Sequence, residues 1–203
     1  MDVQPKQGGD TREAGEAARL AAAEPDGPLR LSPLVFDPAD RAIDDAAGPA
    51  IVPTITRATV ADAQAILQLQ LEAYQSEARL YNDWLIPPLV QTLEELREEF
   101  DTGTVLKAIS DGRLIGSVRA SESGGVAHIG RLIVAPDLQG RGIGTALLNA
   151  IEACYPPTTS FELFTGSLSV DNIRLYRRHG YSVVREEVLG PTVVVVFMRK
   201  LRG

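Results

Sequence analysis

The spacing of apolar residues becomes regular from Ile51 onward. A short strand is predicted over residues 54–56, followed by a helix from about Ala61. One face of this helix carries the residues Ile66, Leu67, Gln70, Leu71 and Tyr74. A second helix is predicted after Thr92, an N-cap residue whose capping-box partner is Glu95, three residues later. Two helices therefore follow the first strand.

The connection between these helices spans residues 77–89 and ends in an Ile-Pro-Pro-Leu sequence. Proline lacks a backbone N–H and clashes with the preceding turn, so Pro87 and Pro88 exclude a helix that continues through them. The two helices are therefore predicted to be separate.

Alternating patterns predict antiparallel strands over residues 105–109, 114–120 and 126–134, because Asp-Gly and Gly-Gly pairs separate them. The remaining predicted elements are a helix from about Gly142, a strand over 161–164, a helix over 170–178 and strands over 181–188 and 192–198. The order β-α-α-β-β-β-α-β-α-β-β predicts an α/β (α+β) fold with a mixed, mostly antiparallel twisted sheet flanked by helices.

Residues 1–50 differ from the rest in composition. They are rich in Ala, Gly, Asp, Glu and Pro and nearly lack β-branched and aromatic residues, so burial cannot offset the entropy of ordering them. We predict a disordered N-terminal extension over 1–50 and one folded domain over 51–203.

The chain has a formal net charge of -7, and most of the acidic excess lies within residues 1–50. The nearly neutral domain argues against a nucleic-acid-binding surface. No apolar stretch is long enough for a membrane span and no signal peptide is recognisable, which favours a cytoplasmic protein. The single cysteine, Cys154, is predicted to be buried. Two histidines and this cysteine lack ligand spacing, so we expect no metal site.

Gly140, Gly142 and Gly144 lie between an apolar strand and an amphipathic helix. Free N–H groups and the positive end of the helix dipole point into such a loop, and glycine lets the backbone approach an anion closely. Arg141 adds positive charge. The loop is therefore a candidate phosphate site.

Two other phosphate motifs do not fit this loop. A dinucleotide fingerprint that starts at Gly140 needs a third glycine where Thr145 stands, and a P-loop needs a lysine that this region lacks. The preceding strand also leaves antiparallel hairpins rather than opening a parallel sheet.

The segment from Arg131 to Gly144, RLIVAPDLQGRGIG, resembles the signature of the GNAT superfamily of N-acetyltransferases. Its Gln/Arg-x-x-Gly-x-Gly/Ala pattern is met by Gln139, Gly142 and Gly144. A later segment, NIRLYRRHGY from Asn172, is similar to a second family motif. The resemblance covers about residues 51–203 and implies an enzyme that uses acetyl-coenzyme A as cosubstrate.

The resemblance also implies roles for particular residues. The coenzyme would be held by Leu132, Ile133, Val134, Gln139, Gly140, Arg141, Gly142, Ile143, Gly144, Thr145 and Asn172. Tyr176 would lie near the sulfur of the coenzyme and protonate the departing thiolate. The alternative is that Tyr176 packs in the core with Ile173, since the two residues share a helical face.

A general base is needed because an alkyl ammonium group with a pKa of about 10 must lose a proton. Many relatives have a glutamate on the signature strand, where this chain has Gly130. His128, two residues earlier and on the same strand face, can act through a water molecule. Glu122 and Glu162 are alternatives on neighbouring strands.

Substrate selection in the superfamily implicates the connection between the early helices. Glu77, Tyr81 and Trp84 are the candidates there, because an acid beside aromatic rings can hold an ammonium group. The expected partner is a small-molecule or peptide amine. Alternatives are a coenzyme-binding module without activity, and a transferase of longer acyl groups with a wider pocket near Ile133 and Phe164. A homodimer is possible if the apolar strand 192–198 is an edge strand, whereas a central position explains its composition equally well.

Overall fold

The computed structural model describes residues 49–156, 158, 160–189 and 193–202. In chain order, the helices and strands are β1 (Thr54–Arg57), α1 (Ala63–Ala73), α2 (Gln75–Tyr81), α3 (Pro87–Val90), α4 (Leu93–Thr102), β2 (Thr104–Ser110), β3 (Arg113–Ser123), β4 (Val126–Val134), α5 (Ile143–Ala153), β5 (Ser160–Gly166), α6 (Val170–Arg178), β6 (Ser182–Val188) and β7 (Val194–Leu201).

The strands form one seven-stranded sheet in the order β1-β2-β3-β4-β5-β7-β6. Neighbouring strands are antiparallel except for β4 and β5, which are parallel. The predicted class, a mixed and mostly antiparallel sheet flanked by helices, is confirmed.

Each face of the sheet has its own apolar core. Alternate residues of β2 illustrate the division, because Leu106 and Ala108 pack under α5 and α6 whereas Val105 packs under α1 and α4. In α5 the core positions are Ile143, Leu147, Leu148 and Ile151. The predicted amphipathic stripe of this helix is confirmed.

Local sequence signals account well for several boundaries. The Thr92 hydroxyl accepts a hydrogen bond from the Glu95 amide at 3.2 Å, and the Glu95 carboxylate accepts one from the Thr92 amide at 2.7 Å. This pair is the predicted capping box. Asp111 and Gly112 both have positive φ, as a two-residue hairpin turn requires.

The connection over residues 77–89 contains no continuous helix, as predicted, but the short helices α2 and α3 occupy much of it. The break comes before the prolines, because Asn82 ends α2 in a left-handed conformation. However, Pro87 and Pro88 then start α3, where their missing N–H groups cost nothing.

The burial predicted for Cys154 is also wrong, since this residue is exposed. Helix α5 ends at Ala153, one residue too early to turn Cys154 inward. Tyr155 packs against the core instead, and its hydroxyl donates to the Ala120 carbonyl at 2.5 Å.

Strand β7 lies between β5 and β6, so its apolar sequence is explained by a central position. Thr192, which the prediction included, lies outside the described residues, as does nearly all of the predicted N-terminal extension. Within the described part of the chain, no helix is long and apolar enough to cross a membrane.

Candidate active site

The two parallel strands β4 and β5 separate along their length. Only Val126, Ala127 and His128 of β4 are paired with β5, opposite Ser160, Phe161 and Glu162. Beyond this point β5 pairs with β7, while β4 continues to Val134 paired with β3 alone. The strands therefore form a gap that opens toward their C-terminal ends, with backbone groups of Leu132, Ile133 and Val134 at its edge.

A bulge in β4 changes which side chains face each core. Pairing skips from Arg119–Gly130 to Ser117–Ile133, and Arg131 has a φ of 49°. Before the bulge, Ala127 and Ile129 pack under α5; after it, Leu132 and Val134 do so, and Ile133 turns to the opposite face. After the bulge, the residues of β4 that lead to the glycine-rich loop therefore point to the faces opposite to those expected from the first half of the strand.

The loop after β4 has the features of an anion site. Gly140 and Gly142 have φ values of 74° and 83°, which are strained for any residue with a Cβ. Gly142 is the N-cap of α5, and no described residue accepts a hydrogen bond from the amides of Ile143, Gly144 or Thr145. Free amides at a helix N-terminus bind phosphate groups.

The rest of the loop is anchored at its ends. The Gln139 side chain donates to the Val134 carbonyl at 3.4 Å, and the Arg141 carbonyl accepts from the Ile51 amide at 3.0 Å. Arg113 makes a two-pronged ion pair with Asp137, at 2.8 and 2.9 Å. These contacts hold the loop without using the amides that face outward.

Helices α1 and α2 span the open end of the gap. At the C-terminal end of α1, Leu69 and Tyr74 pack against Ile133 of β4. On the side of β5, Tyr81 of α2 packs on Gly166 so closely that a Cβ there would lie 2.3 Å from the Tyr81 hydroxyl oxygen. The corner between α1 and α2 therefore bridges the two separated strands.

Two hydrogen bonds fix α2 to the loop between β5 and α6. The Leu168 amide donates to the Tyr81 hydroxyl at 2.6 Å, and the Ser169 hydroxyl donates to the Glu77 carboxylate at 2.5 Å. Of the predicted substrate residues, Tyr81 is thus buried with its hydroxyl engaged, Glu77 is half-buried, and Trp84 is exposed.

Tyr176 reaches this region from the opposite face of the sheet. Its ring contacts the Tyr181 ring edge-on, with centroids 6.0 Å apart, and it lies in the core beside Ile173. Burial raises the pKa of its phenol above the ordinary value, with smaller contributions from Tyr74 and Glu77.

A phenol is protonated at neutral pH even at its ordinary pKa of 10.0, and burial of Tyr176 keeps its hydroxyl protonated to higher pH.

The three candidate bases lie at the narrow end of the gap. His128 Nε2 lies 3.3 Å from the Ser123 hydroxyl, beside the hairpin that joins β3 and β4. Glu122 is exposed near the same hairpin. Glu162 is ion-paired with Arg199, whose Nε lies 2.7 Å from the carboxylate. Among the described residues, none of the three forms a hydrogen bond or ion pair with Tyr176.

Buried polar side chains line the face that carries α1 and α4. Arg119, directly opposite Gly130 in the sheet, forms an ion pair with Glu99 and donates to the Gln70 amide oxygen at 2.6 Å. Gln70 in turn donates to the Pro88 carbonyl at 2.8 Å and to Gln91 at 2.9 Å. This network ties α1, α3 and α4 to β3, while a Cβ on Gly130 would meet nothing within 4 Å.

Sequence reasoning missed Ser169, Gly166 and Tyr74. No local motif marks them, because their roles depend on contacts between segments far apart in the chain. The bulge at Arg131 did leave a signal, since the alternation of Ala127 and Ile129 gives way to three consecutive apolar residues.

The arrangement fits coenzyme A on two grounds. The outward-facing amides at the start of α5 suit a diphosphate, and the backbone edge at the end of β4 can pair with an extended amide-containing arm. The coenzyme would supply an acyl thioester. No group of metal-ligating side chains occurs in the described part of the chain.

The comparisons with known proteins agree with this geometry. The model of the acetyltransferase (GNAT) family matches residues 63–181, more than half of the chain. This chain therefore belongs to the acetyltransferase (GNAT) family.

Two relatives share about a third of the aligned residues with this chain. The chain is 30% identical to the S-(2-succino)cysteine N-acetyltransferase of Bacillus subtilis, over 68% of this chain and 90% of that protein. It is 36% identical to an uncharacterized N-acetyltransferase of Methanocaldococcus jannaschii, over 35% of this chain, and the match spans 47% of that relative.

The fold is similar to that of the PaiA N-acetyltransferase of Thermoplasma acidophilum, solved in complex with coenzyme A. The two have a TM-score of 0.63 and 17% sequence identity, over 75% of this chain and 100% of the other. At this identity the likeness concerns the fold.

Proposed function

We propose that this chain transfers an acetyl group from acetyl-coenzyme A to the primary amine of a small molecule or peptide. The amine attacks the thioester directly while both substrates are bound. The observation that supports the proposal most is the gap between β4 and β5, whose β4 edge leads into the loop with free amides at the start of α5.

The coenzyme side of the proposed site is formed by three segments. The amides from Gln139 to Thr145 hold the diphosphate, the edge of β4 at Leu132, Ile133 and Val134 pairs with the pantetheine arm, and Asn172 is a further contact. Asn172 is exposed at the start of α6, where its side chain lies 3.4 Å from the Thr165 hydroxyl.

Tyr176 acts as the general acid in this proposal. When the carbon–sulfur bond breaks, the sulfur gains an electron pair and Tyr176 donates its proton to it. A pKa raised by burial keeps the phenol protonated until that moment.

The acceptor side is formed by α2 and the loop after β5. Exposed apolar side chains flank the link between these segments: Leu80, Trp84, Leu85, Leu168 and Val170. Such a surface favours an amine that also carries an apolar group, with Trp84 as a contact to that group.

Mass spectrometry of single-amine reactions tests the proposal. Four amines are chosen: S-(2-succino)cysteine, after the Bacillus subtilis relative; 2-phenylethylamine, for the apolar surface; spermidine; and a peptide with an N-terminal alanine. An acetylated product with at least one amine is expected. If product forms only with a longer acyl-coenzyme A, the chain transfers longer acyl groups rather than acetyl. If acetyl-coenzyme A binds but no amine is acylated, the chain is a coenzyme-binding module without transferase activity.

A further inference from the structure

We propose that Glu77 is the general base that takes the proton from the acceptor amine. The inference rests on the proposed acetyl transfer and assigns the step for which the sequence left several candidates. It gives Glu77 a chemical role beyond the ammonium binding expected from the sequence.

The Glu77 carboxylate is held in place and still accessible. Ser169, the residue before α6, donates its hydroxyl proton to Oε1 of Glu77. The side chain is half-buried, and the described residues supply no second hydrogen bond to it. One carboxylate oxygen is therefore oriented by the protein while the other can accept a proton from an amine.

Glu77 is joined to the segment that carries the proposed acid. It is on α2, and its hydrogen-bond partner Ser169 directly precedes α6, the helix of Tyr176. The negative charge of Glu77 contributes to the raised pKa of the Tyr176 phenol. Because α2 is fixed to the loop that leads into α6, the base and the acid share one rigid support.

The other acids and the histidine near the sheet are less well placed. Glu162 is paired with Arg199, and Glu122 and His128 lie near the β3–β4 hairpin, where the gap is closed. Arg79 of the same helix donates to Gln75 at 3.3 Å rather than to Glu77. On the elements packed around α2, the titratable groups of this region are Tyr74 and Tyr176, and Tyr176 interacts electrostatically with both Tyr74 and Glu77.

The proton transfers balance as follows. Glu77 accepts one proton from the ammonium group, and the freed nitrogen lone pair forms a bond to the thioester carbonyl carbon. The carbon–sulfur bond then breaks, and Tyr176 donates its proton to the sulfur. The new amide nitrogen loses its second proton to the phenolate of Tyr176, and Glu77 releases its proton to solvent.

The test compares Glu77→Gln with the wild-type protein, using the amine of the four-member panel that is acetylated fastest. Because the glutamine cannot accept the proton, kcat should fall about a hundredfold while the KM for acetyl-coenzyme A stays unchanged. In the variant, kcat/KM should rise tenfold for each pH unit up to the pKa of the amine, because only the neutral amine reacts. A structural role alone would not produce this change in the pH profile. The matched control is Glu72→Gln, which changes an exposed acid of α1, and it should behave as the wild type.

Two further variants keep the proposal falsifiable if Glu77→Gln does not fold. Glu77→Asp keeps the negative charge but moves it away from the amine, because the aspartate side chain is shorter. We expect at least a tenfold loss of kcat with the wild-type pH profile. Ser169→Ala removes only the orienting hydrogen bond and should cause a smaller loss.

The role of Glu77 would be overturned if Glu77→Gln had wild-type rates and an unchanged pH profile, or if Glu77→Asp were fully active. Neither result would contradict acetyl transfer itself. Absence of product from all four amines with the wild-type protein would overturn both the proposed function and this assignment.

Discussion

The Tyr81 hydroxyl accepts a hydrogen bond from the Leu168 amide at 2.6 Å, and this contact joins two segments that are 87 residues apart. Helix α2 thereby becomes part of the wall between β5 and α6. The acceptor surface and the segment that carries Tyr176 are consequently one unit, so a change in α2 is expected to affect turnover more than coenzyme binding.

Substitution of Gly166 tests whether α2 and the loop after β5 act as one unit. In Gly166→Ala the new Cβ would lie 2.3 Å from the Tyr81 hydroxyl oxygen and 2.7 Å from ring carbons, so the Tyr81 ring on α2 must shift and its hydrogen bond with the Leu168 amide is disturbed. We expect a loss of about 1–3 kcal/mol in the free energy of unfolding, together with lower kcat, as measured by urea titration and turnover.

Gly130→Ala is the control for Gly166→Ala, because its Cβ meets nothing within 4 Å. Removing a strand glycine there should stabilise the protein by about 0.5–1 kcal/mol. Equal stability losses in the two variants would contradict the close packing of Tyr81.

Tyr176→Phe tests the general acid. The ring and its packing against Tyr181 remain, but no proton can be donated to the sulfur. We expect kcat to fall roughly a hundredfold while the affinity for acetyl-coenzyme A is retained. Tyr155→Phe also removes a phenol hydroxyl from a partly buried tyrosine, and it should lower stability by about 1 kcal/mol with little effect on kcat. If Tyr176→Phe folds and is fully active, Tyr176 is not the general acid and serves only in core packing.

The pH dependence of kcat offers a separate check on Tyr176. A phenol with an ordinary pKa of 10.0 would lose its proton near that pH, whereas burial, with help from Tyr74 and Glu77, raises the pKa further. The acid form is therefore retained at pH 10, and kcat should not fall between neutral pH and about pH 10. A decline centred at or below pH 9 would show that the acid is a different group.

Gly142→Ala tests the phosphate loop. A φ of 83° costs a residue with a Cβ about 1–2 kcal/mol, and relief of this strain would turn the free amides of α5 away from the diphosphate. Weaker binding of coenzyme A is expected in calorimetric titration. Gly112→Ala introduces the same kind of strain at a φ of 74° in the β2–β3 turn, so it should lose similar stability and keep the wild-type dissociation constant. Unchanged coenzyme A binding by Gly142→Ala would show that this loop does not hold the coenzyme.

Much of the fold was predictable because its signals are local. The capping box at Thr92, the hairpin turn at Gly112 and the helical stripe around Leu147 each depend on residues a few positions apart. The phosphate loop was predictable for the same reason, since its glycines and its helix are adjacent in the chain.

Contacts between distant segments were not predictable in this way. The short helix α2 depends on Tyr81 packing on Gly166, and the exposure of Cys154 depends on Tyr155 reaching Ala120. The link between Glu77 and the helix of Tyr176 likewise depends on Ser169, which is 92 residues from Glu77 in the chain. Local patterns therefore identified the coenzyme side of the site better than the acceptor side.

The central claim is acetyl transfer from acetyl-coenzyme A to an amine in a ternary complex. Its most direct test is the initial rate of coenzyme A thiol release, measured while the concentrations of acetyl-coenzyme A and of the best amine are both varied. We predict that release depends on the amine and that the double-reciprocal lines intersect. Release that is independent of every amine, or parallel lines that indicate an acetylated enzyme, would contradict the account.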